Sequence, residues 1–395
     1  MNIDMKNRII AVAALAALCS FGAYAQEASA PQFKWYGFIR NYFTYDTHES
    51  TAGTEDLYYW MPKDNDEKGT SNFTALTSRL GLDVTGYEVK GYKVGAKIET
   101  DFYSKSGTTA ILRLRQAYVT MAKDGRSWKI GQAWHPMAAD MPDIFSLETG
   151  APFGPFSRTP LVSFDTKASD ASSFTLAAIW QMQYTSTGPA GAVADYMKFG
   201  GVPELYFGWN YKSGNFLSRI GADYITIKPY KDNDGRTSNL SFYMYDQYTG
   251  KDWNFKNKLT YASDGSHMNL IGGYGICGTT DGAFDFAATR NVSDWFTLQY
   301  KAGSWRPALF LGYVKMLGAN KDITGDAFFK NSAEKINQIY RIQPEVVYNM
   351  GKVAFGLEYM LTAVQYGKAD SKLVVSDNLH WVKNNRIQMM VKYTF

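Results

Sequence analysis

Several features that mark common protein classes are scarce in this sequence. Only two cysteines occur in 395 residues, and Cys277 stands alone if Cys19 leaves with an N-terminal signal segment, so an internal disulfide is excluded. The formal net charge of +4 is too small to indicate a partner such as nucleic acid. After the first 25 residues, no apolar run reaches the ~18 residues that a spanning helix requires.

Motifs that carry chemistry are equally scarce. The four histidines, His48, His135, His267 and His380, show no metal-ligand spacing. His135 is interpreted as a plain loop residue, with a pore-lining position as the alternative. The acidic run 64–67 lacks the spaced ligands of a calcium loop, so a solvated loop is expected there. No Gly-x-Ser-x-Gly elbow occurs, and we expect neither a cofactor nor covalent chemistry.

The N-terminal residues indicate export from the cytoplasm. Lys6 and Arg8 precede a short apolar run, and small residues follow in the arrangement Ala23-Tyr24-Ala25. This pattern is typical of a secretory signal peptide. We predict cleavage after Ala25, which leaves residues 26–395 as a single domain.

The sequence is rich in aromatic residues, and apolar and polar residues alternate along many of its segments. Aromatic residues make up 16% of the chain, and there are 35 glycines. An exported chain of this kind is either a soluble β protein or a closed membrane barrel, because only helices and closed barrels satisfy their backbone groups in lipid. In the stretch 92–103 apolar and charged residues alternate over about the length of a tilted membrane strand of ~9–11 residues. Alternating segments of this kind, separated by turns, predict an all-β transmembrane antiparallel barrel of about sixteen strands, with eighteen as the alternative. Between residues 174 and 247 the pattern leaves the number of strands open.

The last stretch of the sequence carries the clearest strand pattern. Ile387, Met389, Val391, Tyr393 and Phe395 share one face, and polar residues dominate the other. We expect the apolar face to lie in lipid, with the terminal aromatic residues at the membrane interface. Tyr393 and Phe395 are further expected to act as the signal that the barrel-assembly machinery recognises.

The stretch Gly131–Lys167 differs from its surroundings. It contains five prolines, which remove ladder donors and exclude one continuous regular strand. It also carries the acidic residues Asp140, Asp143 and Glu148. Because long connections in compact domains are usually functional, we predict a loop folded into the barrel lumen with its carboxylates facing a pore. The alternative is an ordinary long surface loop.

Four short motifs follow one another in the first third of the chain. They are Trp35-Tyr36-Gly37, Thr77-Ser78-Arg79-Leu80-Gly81-Leu82, Leu114-Arg115-Gln116-Ala117-Tyr118-Val119 and Trp128-Lys129-Ile130-Gly131-Gln132. Together with the Phe395 end, they resemble the general trimeric porins of Gram-negative bacteria and the related DcaP-like porins. The resemblance implies a sixteen-stranded barrel, a homotrimer, and a third outer loop that folds inward.

The resemblance also implies a charged constriction. Arg79 and Arg115 match wall arginines by motif, and Arg113 shares the parity of Arg115. Lys97 and Lys167 complete the predicted basic wall, which would face Asp140, Asp143 and Glu148 across the pore. An arginine on the lipid face would cost about 2–4 kcal/mol at the midplane, so the lumen is expected for Arg113 and Arg115. This parity would place Gln116 and Tyr118 outside. As an alternative, the arginines pair with Glu99 or Asp101 on the neighbouring strand.

These observations predict a passive diffusion channel for small hydrophilic solutes and ions in the outer membrane of a Gram-negative bacterium. The expected partners are the lipid bilayer, two further copies of the chain and small polar solutes. One alternative is a channel selective for small anions, such as carboxylates or phosphate, or for sugars. Others are an outer-membrane hydrolase, for which no motif is present, and a non-conducting structural or adhesive barrel.

Overall fold

The computed structural model describes residues 30–52, 59–65, 68–103, 105–106, 109–146 and 150–395. The predicted signal peptide, residues 1–25, lies outside the described residues. So do Asp66 and Glu67 of the acidic run, and Glu148 of the predicted lumen loop.

Sixteen strands form the barrel, and each pairs antiparallel with the next. They are β1 (Gln32–Asp46), β2 (Thr70–Thr74 and Arg79–Val89), β3 (Tyr92–Asp101), β4 (Arg113–Lys123), β5 (Arg126–Trp134), β6 (Arg158–Lys167), β7 (Ser172–Ile179), β8 (Glu204–Ser213), β9 (Phe216–Ile227), β10 (Thr237–Thr249), β11 (Trp253–Ser263), β12 (Arg290–Tyr300), β13 (Trp305–Gly318), β14 (Ile336–Met350), β15 (Val353–Ala369) and β16 (Val375–Thr394).

The sheet closes on itself through its first and last strands. β16 pairs with β1 over the register from Phe38↔Thr394 to Asp46↔Arg386. The two segments of β2 both pair with β1, one along each half, so they are parts of one interrupted strand. The predicted closed barrel of about sixteen strands is therefore confirmed. Closure pairs the first and last strands of the barrel sheet with each other. Their backbone groups would otherwise lack hydrogen-bond partners in lipid, which costs several kcal/mol per group.

The two faces of the barrel differ in polarity in the manner expected for a lipid-facing wall. Large apolar side chains alternate along the strands and are exposed on the outside, as at Phe207 (50%) and Leu240 (43%). The residues between them point inward and are often polar, such as Thr260, Ser293 and Gln343. This alternation of apolar side chains outside and polar side chains inside is typical of a membrane barrel with a polar interior.

The connections at the two ends of the barrel differ in length. One end has short turns, such as those joining β4 to β5 and β14 to β15, and aromatic pairs flank several of them. Trp253–Tyr300 and Trp305–Tyr348 have ring centroids 4.4 and 4.7 Å apart, as in an interfacial girdle. We call this the short-turn end of the barrel, and we call the opposite end, where the long loops lie, the outer end.

Secondary structure also occurs within the long loops. There are small hairpins (Ser50–Ala52 with Tyr59–Pro62, Lys105–Ser106 with Thr109–Ala110, Thr187–Gly188 with Gly191–Ala192), a three-stranded sheet (Gly273–Thr280, Ala283–Ala288, Ala327–Phe329), helix α1 (Asp195–Gly200) and the 3-10 turns Pro136–Ala138, Ser266–Met268 and Ala333–Lys335. In the part of the chain that the structure describes, no helix is long and apolar enough to cross a membrane.

Some segment boundaries differ from the sequence-based prediction. The predicted loop Gly131–Lys167 is a loop only between β5 and β6, because Arg158–Lys167 is a barrel strand. Pro160 lies in that strand, where its carbonyl accepts from Trp180 N at 2.9 Å. Strand β10 begins within the stretch 174–247, where the sequence pattern leaves the number of strands open.

A β-bulge explains the wrong orientation predicted for Gln116 and Tyr118. The pairing of β3 with β4 shifts between Glu99 and Thr100, so that Arg115 is the extra residue. Gln116 is therefore buried inside, and its Nε2 donates to Glu99 at 3.3 Å. Tyr118 follows on the inner face, where it lines the lumen cavity. A strict period of two cannot reveal such an inserted residue.

Candidate pore and the loop inside it

The connection between β5 and β6, residues 135–157, is here called the lumen loop, and its described residues, 135–146 and 150–157, lie within the barrel. Tyr42 on β1 donates to the carbonyl of Phe145 at 2.5 Å. Phe145 N donates to Glu345 on β14 at 2.9 Å, and Gln343 donates to Ser146 Oγ at 2.9 Å. The loop thus reaches across the lumen from its roots to the far wall.

The two described carboxylates of the lumen loop pair with bases on β9 and β11. Asp140 forms an ion pair with Arg219. Asp143 lies 2.5 Å from Lys256 Nζ and also accepts from Asn254. The acidic loop therefore faces a basic wall, but that wall is formed by strands other than the ones predicted from the resemblance.

Lys258 holds the backbone of the same loop. Its ammonium donates to the carbonyl oxygens of Met137 and Asp140, both at 2.8 Å, and the residue is fully buried. The rings of Tyr243 and Tyr245 lie 5.3 and 5.6 Å from Nζ, which adds cation–π attraction in a dry environment. The loop is thereby held by backbone as well as side-chain contacts.

The predicted wall arginines pair with their neighbours on β3. Arg113 makes a bidentate pair with Asp101, with both N–O distances at 2.9 Å. Arg115 bridges Glu99 at 2.7 Å and Asp101 at 2.8 Å. The alternative pairing with Glu99 and Asp101 is therefore the one present in the structure.

The remaining predicted basic residues occupy different places. Arg79 lies 3.6 Å from Glu99 and packs over the ring of Phe38. Lys97 points inward and binds Asp83 at 2.7 Å. Lys167 ends β6 at the short-turn end of the barrel, where it lines the cavity described next.

A cavity of about 930 Å³ lies between the lumen loop and the wall formed by β3 to β10. Pro136 and Ala139 of the loop border it on one side, and the turn at Asp124 and Gly125 lies at its other end. Its basic lining residues are Lys93, Lys123, Arg126, Lys129, Lys167 and Arg219, and its acidic ones are Asp124 and Asp165. Arg219 is paired with Asp140, so the other five basic side chains against two acidic ones make this part of the lumen electropositive.

The sequence-based prediction missed several functional candidates. Lys93, Lys129, Arg219, Lys256 and Lys258 are absent from it, although all occupy inward positions of the period-two pattern. They could have been found by using the period of two to decide, for every Lys and Arg in a strand, whether its side chain points inward. Their partners could not be found this way, because Asp140 and Arg219 are 79 residues apart.

Burial also shifts the pKa values of charged groups in the loops at the outer end of the barrel. Burial raises the pKa of Asp264, which follows β11. Burial lowers the pKa of Lys330, in the loop between β13 and β14, to about 8. Lys330 donates to Asn269 Oδ1 at 2.6 Å. These loops therefore pack into a buried region beside the lumen loop rather than extending into solvent.

Comparison with known proteins identifies the architecture. A model of the family described as DcaP outer membrane protein matches residues 20–154. No curated protein sequence matches the chain. Solved structures that match over nearly the whole chain include three outer membrane proteins. They are the outer membrane channel DcaP of Acinetobacter baumannii (17% identity, 95% of this chain and 99% of that one, TM-score 0.71), OmpT of Vibrio cholerae (14%, 94% and 99%, 0.57) and OmpF of Salmonella typhi (13%, 92% and 97%, 0.54).

At these identities the structural likeness establishes the fold. The sixteen-stranded barrel and the resemblance to DcaP and to the outer membrane porins are thereby confirmed.

Proposed function

We propose that this protein is a passive channel for small hydrophilic solutes and ions in the outer membrane of a Gram-negative bacterium. The observation that carries the proposal is the lumen loop, whose Asp140 and Asp143 face Arg219 and Lys256 inside a closed barrel. A water-filled lumen with opposed charges lets polar solutes pass and disfavours bulky apolar ones. The likeness to an outer membrane channel supports the same function.

The proposal includes assembly and targeting. The mature chain begins after a cleaved signal peptide, residues 1–25, and residues 26–395 form the barrel domain. Three copies assemble, as the resemblance to trimeric porins suggests. Tyr393 and Phe395, both 45% exposed on the outer face, serve the barrel-assembly machinery.

The predicted basic residues have two roles in this proposal. Lys167 contributes charge along the water path, and Lys97 and Arg79 line it in pairs with Asp83 and Glu99. Arg113 and Arg115 are neutralised by Glu99 and Asp101, so they stiffen the wall more than they attract ions. Glu148 is proposed as a third acidic residue of the lumen loop.

A second candidate function is a channel that prefers small anions. The lumen cavity favours it, because six basic side chains line that cavity against two acidic ones. Basic rings in a pore favour anions. At about 8 Å in water, a unit charge contributes about 0.5 kcal/mol, or roughly two-fold in local ion concentration.

The decisive experiment is single-channel recording in a planar bilayer with a salt gradient. We expect current steps in groups of three and a reversal potential on the anion side. Replacing Lys93 and Lys129 by Gln should lower the anion-to-cation permeability ratio by about two-fold, since salt screens part of each charge.

Lys301→Gln is the matched control, because Lys301 lies in a turn at the same end of the barrel but does not line the cavity. Equal shifts in both variants would argue against selectivity set in the cavity. Folded protein that never conducts would overturn the channel proposal and favour a structural or adhesive barrel.

A further inference from the structure

Four buried ionisable side chains meet where two loops touch the barrel wall. His135 begins the lumen loop, and His267 lies in the 3-10 turn of the β11–β12 loop. Glu204 is the first residue of β8, and Asp223 lies on the adjacent strand β9. None of the four side chains is more than 1% exposed. We call these residues the His–carboxylate cluster.

The distances within the His–carboxylate cluster approach those of a metal site. His135 Nε2 lies 2.6 Å from Glu204 Oε1 and 3.8 Å from Asp223 Oδ1. His267 Nε2 lies 3.2 Å from the same Glu204 oxygen. Ligand atoms around a tetrahedral ion bound at about 2.0–2.2 Å are roughly 3.3 Å apart. The ligand atoms of His135, Glu204 and Asp223 all lie within 4.8 Å of one another. His267 lies outside this group of three, so its ring has to move closer, and the short His135–Glu204 contact has to open, before an ion can bind all four.

The carboxylates of this cluster lack donors. Glu204 Oε1 accepts from both histidines, but Glu204 Oε2 and both oxygens of Asp223 accept no hydrogen bond from the described residues. Buried carboxylates without donors are costly, and two of them side by side also repel each other. A divalent cation between them would remove both penalties at once.

We propose that His135, Glu204, Asp223 and His267 bind a divalent transition-metal ion of the zinc class, which ties both loops to the barrel wall. Mixed imidazole and carboxylate ligands suit such an ion, whereas Mg²⁺ and Ca²⁺ prefer oxygen ligands alone. The complete burial of the residues is that of a closed structural site rather than of a catalytic one with an open position.

One side-chain contact must change when the ion binds. In the structure, His135 Nδ1 accepts a hydrogen bond from Met137 N at 3.1 Å. The ring hydrogen is therefore on His135 Nε2, which donates it in a hydrogen bond to Glu204. A metal on Nε2 displaces that proton, and Nδ1 then carries the hydrogen of the neutral ring. The Met137 bond is lost in exchange for ligand bonds to a dication. Metal binding therefore reshapes the start of the lumen loop.

This inference goes beyond conduction and does not depend on it. The experiment uses full-length protein folded from denaturant into detergent with Zn²⁺, because a fully buried ion enters during folding. The folded protein is then washed with a chelator to strip exposed sites and examined by elemental analysis. We expect about one Zn²⁺ per chain, as for a single four-ligand site. Folding with Co²⁺ should give the intense visible bands of a tetrahedral ion.

Matched variants locate the ion. Asp223→Asn and His267→Gln should lower metal retention at least ten-fold and abolish the cobalt bands. His380→Gln should retain the ion, although His380 Nε2 also lies 2.5 Å from a carboxylate, that of Asp64 on the exposed surface. Folded wild-type protein without metal and without cobalt bands would overturn the proposal. So would equal retention by wild type and by folded Asp223→Asn.

Discussion

Arg113 and Arg115 show how individual charges are fixed on the inner wall. Both guanidinium groups reach Asp101, and Arg115 also reaches Glu99, so two positive and two negative groups form one network. Each side chain in it is no more than 8% exposed. Bidentate and shared pairs of this kind hold side chains in a single geometry. The network therefore defines the local shape of the wall.

Replacing Asp101 with Ala tests the network at the scale of one residue. The change removes the bidentate partner of Arg113 and one partner of Arg115, which leaves buried positive charge uncompensated. We expect the free energy of unfolding to fall by about 3–5 kcal/mol, the usual cost of breaking a buried pair. Urea unfolding in detergent, followed by tryptophan fluorescence, measures it.

Asp83→Ala is the control for that prediction. Asp83 pairs with Lys97 at 2.7 Å, but its side chain is 34% exposed. An exposed pair contributes about 0–1 kcal/mol. Similar losses in the two variants would mean that burial of the Asp101 network adds nothing to stability.

Residue-level prediction from the sequence succeeded where the alternation was regular. Inward positions for Arg113 and Arg115, and outward ones for Ile387 and Met389, follow from a period of two and agree with the structure. The prediction failed at Gln116 because one bulge reverses the parity of all that follows. It also missed the His–carboxylate cluster, since His135 and Glu204 are 69 residues apart.

At the scale of elements, the lumen loop is held by three kinds of contact. Ion pairs fix Asp140 and Asp143, and Lys258 binds backbone carbonyls of the loop. Aromatic packing holds the second half of the loop, where the ring centroids of Phe153 and Phe310 lie 5.8 Å apart. Prolines and acidic residues indicated that this segment leaves the wall. Its docking partners follow only from barrel closure, which brings distant strands to one lumen.

Lys258→Met tests the backbone contact of the lumen loop. The variant keeps an apolar side chain of similar length but leaves the carbonyls of Met137 and Asp140 without their donor. An unsatisfied buried group costs about 1–3 kcal/mol, so the loop should open at least ten-fold more often. Amide hydrogen exchange across residues 135–157 should rise accordingly.

Lys251→Met is the comparison for Lys258→Met, because Lys251 is exposed in the turn that precedes the same strand. Its exchange pattern should equal that of wild type. Unchanged exchange in Lys258→Met would mean that the ion pairs of Asp140 and Asp143 hold the loop without help from Lys258.

For the whole molecule, stability in lipid depends on closure between the two ends of the sheet. Gly37 N and O exchange hydrogen bonds with Phe395 O and N, at 3.3 and 3.1 Å. These contacts join residues that are far apart in sequence, so they form only after the intervening strands are in register. An open edge would leave backbone groups unsatisfied in the membrane, at several kcal/mol each.

Gly37→Ala places a methyl group at this seam. The added Cβ would lie 2.4 Å from the carbonyl oxygen of Arg79 and 2.7 Å from the Phe395 ring, and the backbone atom cannot move without disturbing the ladder between β1 and β2. We expect a lower yield of closed barrel, seen as a smaller fraction with the mobility of the folded form on unheated denaturing gels. Gly278→Ala is the control, since its nearest contact would be an ordinary 3.4 Å to Asp285. A Gly37→Ala protein that closes as completely as wild type would show that the seam tolerates the added methyl group, and that barrel closure is determined by the remaining β1–β16 ladder.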